Sequence, residues 1–330
     1  MLPLLCLLTA SAVAAAGCSA GPADSRLTPV TLNEVAHSIF YAPQYAAIEL
    51  GYFEEEGIDL TLVNGAGADK VMTALISGDA DIGFMGSEAS IYTYANGAED
   101  YAVNFAQLTQ RAGNFLVGRQ PEENFDWSQL AGKKVLGGRK GGMPELVFEY
   151  ILKKHGLDPA ADLNIDQSIS FGLTAAAFPD SGADYSVEFE PFATGMENQG
   201  TGIVIASLGE ESGYVPYTAY SAKKSYLNAH PDIIQKFTNA IQRGLDFVNS
   251  HTPEEIAQVI KPQFPETDLA SLTRIVERYQ AQDTWKEDTI FKEESFLLLQ
   301  NILEEGGELP ARVPYSELVT TEFSEKAVSE

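Results

Sequence analysis

The hydrophobic pattern between residues 29 and 95 alternates between strand-length apolar runs and segments with helical spacing. The apolar runs are residues 30–35, 58–63 and 82–85. Each is followed by a segment whose apolar residues recur at intervals of three and four, which is the spacing of one helix face. The order βαβαβα predicts a parallel sheet covered by helices.

Loops that leave the carboxyl ends of such strands lie along one rim of the sheet. In this chain those loops are residues 37–44, 65–69 and 86–88. They contain small and polar residues, and we expect them to converge. The sequence therefore predicts a small-molecule site at this rim.

A second lobe repeats the organisation of the first. Two further predicted strands, the second ending at Gly118, complete the first lobe, and the polar segment 119–128 is the predicted crossing between lobes. A strand at 133–138 then leads into the glycine-rich loop 139–143 and a helix with Pro144 in its first turn.

The remaining segments predict how the chain returns to the first lobe. Further strands are expected at 163–170, 185–189 and 202–207, and the returning strand at 217–221. The predicted domains are residues 29–118 with 217–330 for lobe 1, and residues 119–216 for lobe 2. The predicted fold class is α/β, with two lobes whose parallel-core sheets carry helices on both faces and enclose a ligand cleft.

Composition narrows the function. The 330 residues carry 47 acidic against 21 basic side chains, a formal net charge of −26. Nucleic-acid phosphates require clustered Lys and Arg, so this balance argues against a nucleic-acid partner. The length also favours two domains over one.

The N-terminus carries a predicted targeting signal. Residues 2–16 are apolar but fewer than the ~20 that a spanning helix needs, which indicates the core of a signal peptide. The run ends in Ala15-Ala16-Gly17-Cys18, which resembles the lipobox of bacterial lipoproteins. We therefore predict a signal peptide at 1–17, a lipid anchor on Cys18 and a linker at 18–28, with an extracytoplasmic location on the cell membrane. The alternative is an uncleaved apolar terminus.

The sequence lacks the residues that metal binding, thiol chemistry and nucleotide binding require. The histidines are His37, His155, His230 and His251. They lie far apart, and none has a second His or Cys at metal-ligand spacing. Cys6 would be removed with the predicted signal peptide, so we expect the mature chain to have no internal thiol. The glycine-rich stretch 137–142 lacks the spacing of a nucleotide loop but offers backbone N–H donors at a helix start. We expect no catalytic residue, metal or cofactor.

Five segments resemble a known family. They are residues 45–60 (YAAIELGYFEEEGIDL), 78–83 (GDADIG), 130–135 (LAGKKV), 189–192 (FEPF) and 230–237 (HPDIIQKF). They resemble the substrate-binding proteins of ABC transporters, in the branch that serves nitrate, sulfonates, taurine and the pyrimidine precursor of thiamine. In that branch the segment at 189–192 often reads Trp-Glu-Pro-Tyr. The resemblance covers nearly the whole chain after the predicted signal.

This resemblance implies a two-lobed periplasmic-binding-protein fold of type II that closes on its ligand like a clamp. The implied partners are a small-molecule ligand, a membrane permease and the ATPase of the importer, and the binding protein is expected to be a monomer. A pyrimidine synthase on the same fold is the enzymatic alternative. The Cys-rich, iron-associated motif of that synthase is missing here, so we expect a binding protein and not an enzyme.

The candidate ligand residues lie on the rim loops of both lobes. They are Ser38, Phe40, Tyr41, Gln44, Gly67, Ser87, Glu88, Gly142, Met143, Glu188 and Glu190. Phe40 is alternatively a core residue, and Glu88 is stabilised at a helix start with or without a ligand. By the resemblance, Glu190 matches the glutamate that hydrogen-bonds the ligand in the thiamine-precursor binders. Glu188 lies two residues earlier on the same strand face.

Two ligand classes follow from these residues. Two carboxylates with aromatic residues nearby favour a planar ring that carries an amine, such as a pyrimidine. A sulfonate, taurine or nitrate would instead bind the backbone N–H groups of residues 141–143 together with Arg139 or Lys140.

Overall fold

The computed structural model describes residues 27–137, 140–169, 172–309 and 311–329. The predicted signal peptide, the predicted lipidation site Cys18 and most of the predicted linker lie outside these residues. Within the described ranges, no helix is long and apolar enough to cross a membrane. The described chain folds into two lobes, each built on a five-stranded sheet.

Short apolar runs form the strands of both sheets. The strands in the described chain are β1 (Thr28–Glu34), β2 (Ile58–Asn64), β3 (Ile82–Gly86), β4 (Ala102–Thr109), β5 (Asn114–Gly118), β6 (Lys134–Leu136), β7 (Asn164–Asp166), β8 (Tyr185–Phe189), β9 (Ile203–Ser207) and β10 (Thr218–Lys223). The first sheet has the order β2-β1-β3-β10-β4, and the second has the order β7-β6-β8-β5-β9. Parallel pairs form one side of each sheet, and β10 or β5 runs antiparallel to both of its neighbours. The predicted α/β fold class is confirmed, with mixed sheets.

The lobe boundary differs from the prediction at one strand. β5 is predicted in the first lobe, but it pairs with β8 and β9 in the second sheet, so that prediction is wrong. The crossing lies at residues 110–113 and not in the polar segment 119–128. The hydrophobic run of a strand does not show which sheet it joins, because pairing depends on tertiary contacts.

Helices cover the sheets and form most of the C-terminal part. The α-helices are α1 (Ala42–Glu49), α2 (Tyr52–Glu55), α3 (Ala68–Ser77), α4 (Glu88–Ala95), α5 (Met143–Lys154), α6 (Thr174–Ala177), α7 (Phe192–Gln199), α8 (Leu208–Ser212), α9 (Lys224–Ala229), α10 (Pro231–Ser250), α11 (Pro253–Ile260), α12 (Leu269–Ala281), α13 (Glu293–Glu305), α14 (Tyr315–Leu318) and α15 (Glu322–Ser329). Short 3₁₀ helices span Ile39–Tyr41, Trp127–Leu130, Phe178–Asp180 and Lys261–Gln263.

Local sequence signals set the helix ends near the first rim. The Ser38 side chain accepts a hydrogen bond from the Phe40 N–H and caps the 3₁₀ helix, and Pro43 lies in the first turn of α1. α3 ends at Gly78, whose φ of 86° is a left-handed conformation that glycine adopts without strain. The Ser38 cap and Pro43 fix the first rim loop, and Gly78 fixes the end of α3.

Buried aromatic rings form the centre of lobe 1. Phe84 of β3 and Tyr220 of β10 stack with their ring centroids 4.3 Å apart. Tyr220 also contacts Phe237 of α10, and its hydroxyl donates to Gln44 at 2.9 Å. The buried hydroxyl is thereby satisfied, as burial requires. The first turn of α1, which carries Gln44, is therefore anchored to the centre of the sheet.

Replacement of Gly244 in α10 by alanine should destabilise the protein. A Cβ atom there would lie 2.2 Å from the backbone oxygen of Pro43 in α1, and a backbone atom cannot move aside as a flexible side chain can. We expect Gly244→Ala to lower the free energy of unfolding by about 2 kcal/mol in urea denaturation.

The matched control for this prediction is Gly195→Ala in α7. A Cβ atom at Gly195 meets nothing within 4 Å. Alanine also has the better helix propensity, so stability should rise by roughly 0.5–1 kcal/mol. A Gly244→Ala protein as stable as the wild type would contradict the close packing of α1 against α10.

Candidate ligand-binding cleft

A cleft lies between the two lobes at the rims of both sheets. Its empty space is about 860 Å³, part of it open to solvent. Lobe 1 contributes residues from all three predicted rim loops, and lobe 2 contributes the start of α5 and the end of β8. The predicted convergence of the rim loops is therefore confirmed.

Most of the predicted ligand residues line this cleft. They are Ser38, Tyr41, Gly67, Glu88, Gly142, Met143 and Glu190. Glu188 lines a smaller pocket beside the cleft. Phe40, Gln44 and Ser87 are buried behind the cleft wall. Contact between these residues and a ligand stays a prediction.

The three residues behind the wall are held by other contacts. Phe40 is fully buried with its ring packed against other aromatic rings. Gln44 donates to the Glu34 carboxylate at 2.8 Å. The Ser87 hydroxyl donates to the backbone carbonyl of Pro216. Because their side chains face the protein interior, we assign all three to the support of the cleft and not to its lining.

Glu190 belongs to an ion pair that no local sequence pattern shows. Its Oε1 lies 2.6 Å from Nη1 of Arg278 in α12, and its Oε2 accepts from the Thr194 N–H at 2.9 Å. The second guanidinium nitrogen pairs with Glu197 at 2.8 Å. The backbone carbonyl of Glu190 accepts from the Ser38 hydroxyl at 3.0 Å. Glu190 therefore joins the end of β8 both to α12 and to the first rim loop.

A second buried carboxylate, Glu34, organises the base of the first rim loop. Its Oε2 accepts from Gln44 and from the Tyr45 hydroxyl, both at 2.8 Å. Its Oε1 lies 2.8 Å from Nδ1 of His37, whose Nε2 lies 2.9 Å from the Gln263 carbonyl. Both ring nitrogens face atoms that only accept, an arrangement that favours the doubly protonated ring. The hydrogen bond to Glu34 is the main cause that raises the pKa of His37.

Tyr41 and Tyr217 line the cleft, and their hydroxyls differ in their hydrogen bonds. Tyr217 donates to the Asn114 side chain at 2.7 Å. The Tyr41 hydroxyl has no hydrogen-bond partner among the described residues. Burial, with the nearby charges of Glu34 and Glu88, raises the pKa of Tyr41, so the hydroxyl stays protonated. Tyr41 can therefore offer a hydrogen bond to a ligand.

A narrow pocket adjoins the cleft on the lobe 2 side, with an empty space of about 360 Å³ that is partly open to solvent. The residues that line both spaces are Pro144, Phe189 and Phe192. Glu188 lines the pocket, and its carboxylate accepts from the hydroxyls of Ser186 and Thr174. Burial raises the pKa of Glu188 to about 7, against the opposite effect of these hydrogen bonds. Glu188 can therefore change its protonation near neutral pH.

Backbone N–H groups reach the cleft from the start of α5. Gly142 is the N-cap of this helix and Met143 its first residue, and both line the cleft. A helix start attracts acceptor atoms and anions. Of the two basic residues predicted to assist an anion, Lys140 lines a separate surface groove. The other, Arg139, lies outside the described residues.

Three residues of this region are not identified from the sequence. Asn114 of β5 lines the pocket beside the cleft, Arg278 of α12 pairs with the cleft residue Glu190, and no motif surrounds either of them. Glu34 has one usable signal, because it is an acidic residue that ends an apolar strand. Across the described ranges, no group of three His, Cys, Asp or Glu side chains could hold a metal ion.

Stability should depend on the protonation of His37. Its pKa is raised in the folded state, whereas a histidine in the unfolded chain has a pKa of about 6.5. The contribution of protonated His37 to the stability of the folded state is therefore complete below about pH 6.5, and it is lost as the pH rises through the pKa of His37 in the folded state. We expect the stability difference between wild type and His37→Gln to shrink from about pH 6 to about pH 9 in urea titrations.

His230→Gln, at an exposed position, is the control for the loss of a histidine. A stability difference between wild type and His37→Gln that stays constant over this range would contradict a protonated His37.

Loss of Arg278 should destabilise the protein more than loss of a surface arginine. Arg278→Met leaves Glu190 buried without its cation, so we expect the free energy of unfolding in urea to fall by roughly 3 kcal/mol. The control is Arg312→Met, which breaks an exposed pair with Glu304 and should change stability little. Equal losses in the two variants would contradict a structural role for the Glu190 pair.

Comparisons with known proteins place the chain in a family. Residues 39–256 match the model of the family described as NMT1/THI5 like. The protein YtlA of Bacillus subtilis (strain 168), which is named as a binding protein, is 47% identical over 307 residues, covering 93% of this chain and 92% of YtlA. A 4-amino-5-hydroxymethyl-2-methylpyrimidine phosphate synthase of Aspergillus parasiticus is 24% identical over 221 residues, covering 63% of each chain.

Solved structures share the fold. The ligand-binding component of an ABC-type import system from Staphylococcus aureus has a TM-score of 0.72 at 15% identity, covering 91% of this chain and 99% of that chain. The alkanesulfonate-binding protein SsuA of Xanthomonas axonopodis pv. citri has a TM-score of 0.71 at 17% identity, covering 89% and 98%. The two-lobed periplasmic-binding-protein fold is therefore confirmed. With the family model and the similarity to YtlA, the chain belongs to the NMT1/THI5-like family.

Proposed function

We propose that this protein is the substrate-binding component of an ABC importer and that it closes on a small, planar nitrogen heterocycle that carries an amine. The observation that carries the proposal is the composition of the cleft. Aromatic rings from both lobes form its walls, and a buried carboxylate lies among them.

The aromatic walls suit a flat ring. Tyr41 and Tyr217 come from lobe 1, and Phe189 and Phe192 come from lobe 2. Aromatic rings pair favourably in offset-stacked or edge-to-face arrangements, and their burial removes apolar surface from water. A planar ligand between the lobes therefore gains contacts from both sides.

The carboxylate of Glu88 favours a ligand with N–H groups. Glu88 begins α4, is 2% exposed and lines the cleft. An ionised carboxylate only accepts hydrogen bonds, so it matches a ligand that donates them. Together with the Tyr41 hydroxyl, it can orient an amine-bearing ring.

The relatives support a binding role and this ligand class. YtlA is named as a binding protein, and one structural neighbour is the ligand-binding component of an ABC-type import system. The fungal relative is named as a synthase of the phosphate of an aminopyrimidine, which is a planar amine-bearing ring. For this chain we propose a binding role without catalysis, as a monomer, with a permease and its ATPase as partners. We also propose a lipid anchor on Cys18 that holds it outside the cytoplasm.

A sulfonate or nitrate is the second candidate ligand. The start of α5 favours it, because Gly142 and Met143 bring backbone N–H groups to the cleft. One structural neighbour is also named as an alkanesulfonate-binding protein. The aromatic rings that line the cleft from both lobes offer a flat ring more contact than a small anion. The amine-bearing ring is therefore the better-supported ligand.

Tyr41→Phe should weaken ligand binding without weakening the fold. The Tyr41 hydroxyl has no partner among the described residues, so its removal should leave stability in urea unchanged. A ligand that it binds loses one hydrogen bond, about 1 kcal/mol or roughly fivefold in Kd. The measurement is isothermal titration with 4-amino-5-hydroxymethyl-2-methylpyrimidine.

The matched control is Tyr220→Phe. It removes a buried hydroxyl that donates to Gln44 at 2.9 Å, so it should lower stability and leave Kd unchanged. Ethanesulfonate and nitrate are the competing probes. Binding of ethanesulfonate without binding of the pyrimidine would replace the proposed ligand class by the anion. If none of the three probes binds or raises the melting temperature, the proposed function is contradicted.

A further inference from the structure

We propose that the pocket beside the cleft is a specificity subsite for one edge of the heterocycle, bound by the Asn114 amide and the Glu188 carboxylate. Asn114 donates to a ring nitrogen, and Glu188 accepts from the exocyclic amine next to it. The inference rests on the proposed function, because it takes the ligand to be an amine-bearing nitrogen heterocycle. It assigns to Glu188 the contact that the family resemblance assigns to Glu190.

The Asn114 side chain is held in a position to donate into this pocket. It lines the pocket at the start of β5 and is 1% exposed. Its Oδ1 accepts from the Tyr217 hydroxyl at 2.7 Å, which fixes the plane of the amide. Its Nδ2 has no hydrogen-bond partner among the described residues. A buried N–H without a partner is unfavourable and uncommon, and a ligand acceptor would satisfy it.

Glu188 keeps acceptor capacity that the protein does not use. It is 2% exposed, and it accepts from the Thr174 hydroxyl at 3.0 Å and from the Ser186 hydroxyl. Within the described chain, these neutral hydroxyls are its hydrogen-bond partners. An ionised carboxylate has about four acceptor positions, so roughly two remain for a ligand. Burial without a cation also raises the pKa of Glu188 to about 7. An N–H donor from a ligand would compensate that burial.

Glu190 has less such capacity. Its Oε1 is held by the Arg278 guanidinium and by the Thr194 hydroxyl, and its Oε2 by the Thr194 N–H. Its charge is therefore matched and most of its acceptor positions are used. A ligand that displaced Arg278 from Glu190 would break a buried ion pair and leave Glu197 as the carboxylate partner of that guanidinium.

The pocket opens on the cleft through a shared wall. Pro144, Phe189 and Phe192 line both spaces, so a ring held between the aromatic walls of the cleft can reach the pocket with one edge. An acceptor and a donor along that edge, as in 4-aminopyrimidine, complement an amide N–H and a carboxylate that line the same pocket. A sulfonate presents only acceptors, and Glu188 would then face oxygen atoms.

The test compares 4-aminopyrimidine with 4-methylpyrimidine, which has the same shape but no amine. Isothermal titration of each probe with the full chain gives the preference as a ratio of Kd values. We expect the wild type to prefer 4-aminopyrimidine by about tenfold or more. Glu188→Gln should lower this preference to about threefold or less, because glutamine presents N–H groups where the carboxylate accepts. Glu99→Gln, at an exposed position, is the control and should keep the wild-type preference.

Asn114→Leu separates the two contacts of the subsite. Both probes carry the ring nitrogen, so this variant should weaken both by a similar factor and leave the preference unchanged. If a variant fails to fold, a structure of the wild type with 4-aminopyrimidine decides the point. A ring edge within hydrogen-bond distance of both Asn114 and Glu188 supports the subsite, and a ring confined to the main cleft overturns it.

The remaining outcomes distinguish this inference from the proposed function. A preference that is unchanged in Glu188→Gln, or that is lost in Glu190→Gln instead, overturns the subsite and leaves the proposed function standing. If neither probe nor 4-amino-5-hydroxymethyl-2-methylpyrimidine binds the wild type, the proposed function is overturned, and the subsite with it.

Discussion

The buried ion pair between Glu190 and Arg278 holds lobe 2 in place against the rest of the protein. Glu190 directly follows β8 of lobe 2, and its carboxylate lies 2.6 Å from the guanidinium of Arg278 in α12. Its backbone carbonyl accepts from Ser38 in the first rim loop. Separating one partner of a buried pair is strongly unfavourable, so movement between the lobes is restrained at this edge. The neighbouring cleft residues Phe189 and Phe192 are therefore held opposite the rim of lobe 1.

The buried carboxylates near the cleft differ in what compensates their charge. Glu34 faces the protonated His37, and Glu190 faces Arg278, so a cation matches each of them. Glu188 has hydroxyl partners, and burial raises its pKa to about 7. A carboxylate matched by a cation stabilises the framework, whereas one held by neutral groups still gains from a donor that arrives with a ligand. The partners, and not the residue type, separate Glu34 and Glu190, which are matched by basic side chains, from Glu188, which we propose contacts the ligand.

Local sequence patterns predict the rim of the cleft but not the contacts across it. Apolar runs, glycine positions and helix starts are local properties, so residues such as Gly67 and Gly142 can be assigned to the rim from the sequence. Arg278 is 88 residues away from Glu190, and Asn114 reaches the site on a strand whose sheet is decided by pairing. A hydrophobic period does not encode such pairings, because they depend on how the elements pack. For the same reason the sequence could not show that Glu190 is occupied by a cation.

Contacts from both lobes give a bound ligand an influence on how the lobes are arranged. Hydrogen bonds that join the lobes include Ser38 to the Glu190 carbonyl at 3.0 Å, Tyr217 to the Asn114 side chain at 2.7 Å, and the Tyr92 hydroxyl of α4 to the Gly141 carbonyl at 3.4 Å. The last is long and therefore weaker than the contacts at Glu190 and Asn114. A ligand that contacts Tyr41 on one lobe and the start of α5 on the other adds interactions only where both are close. Under the proposed closing of the lobes, it shifts the population toward the closed arrangement by the difference in its affinity for the two arrangements.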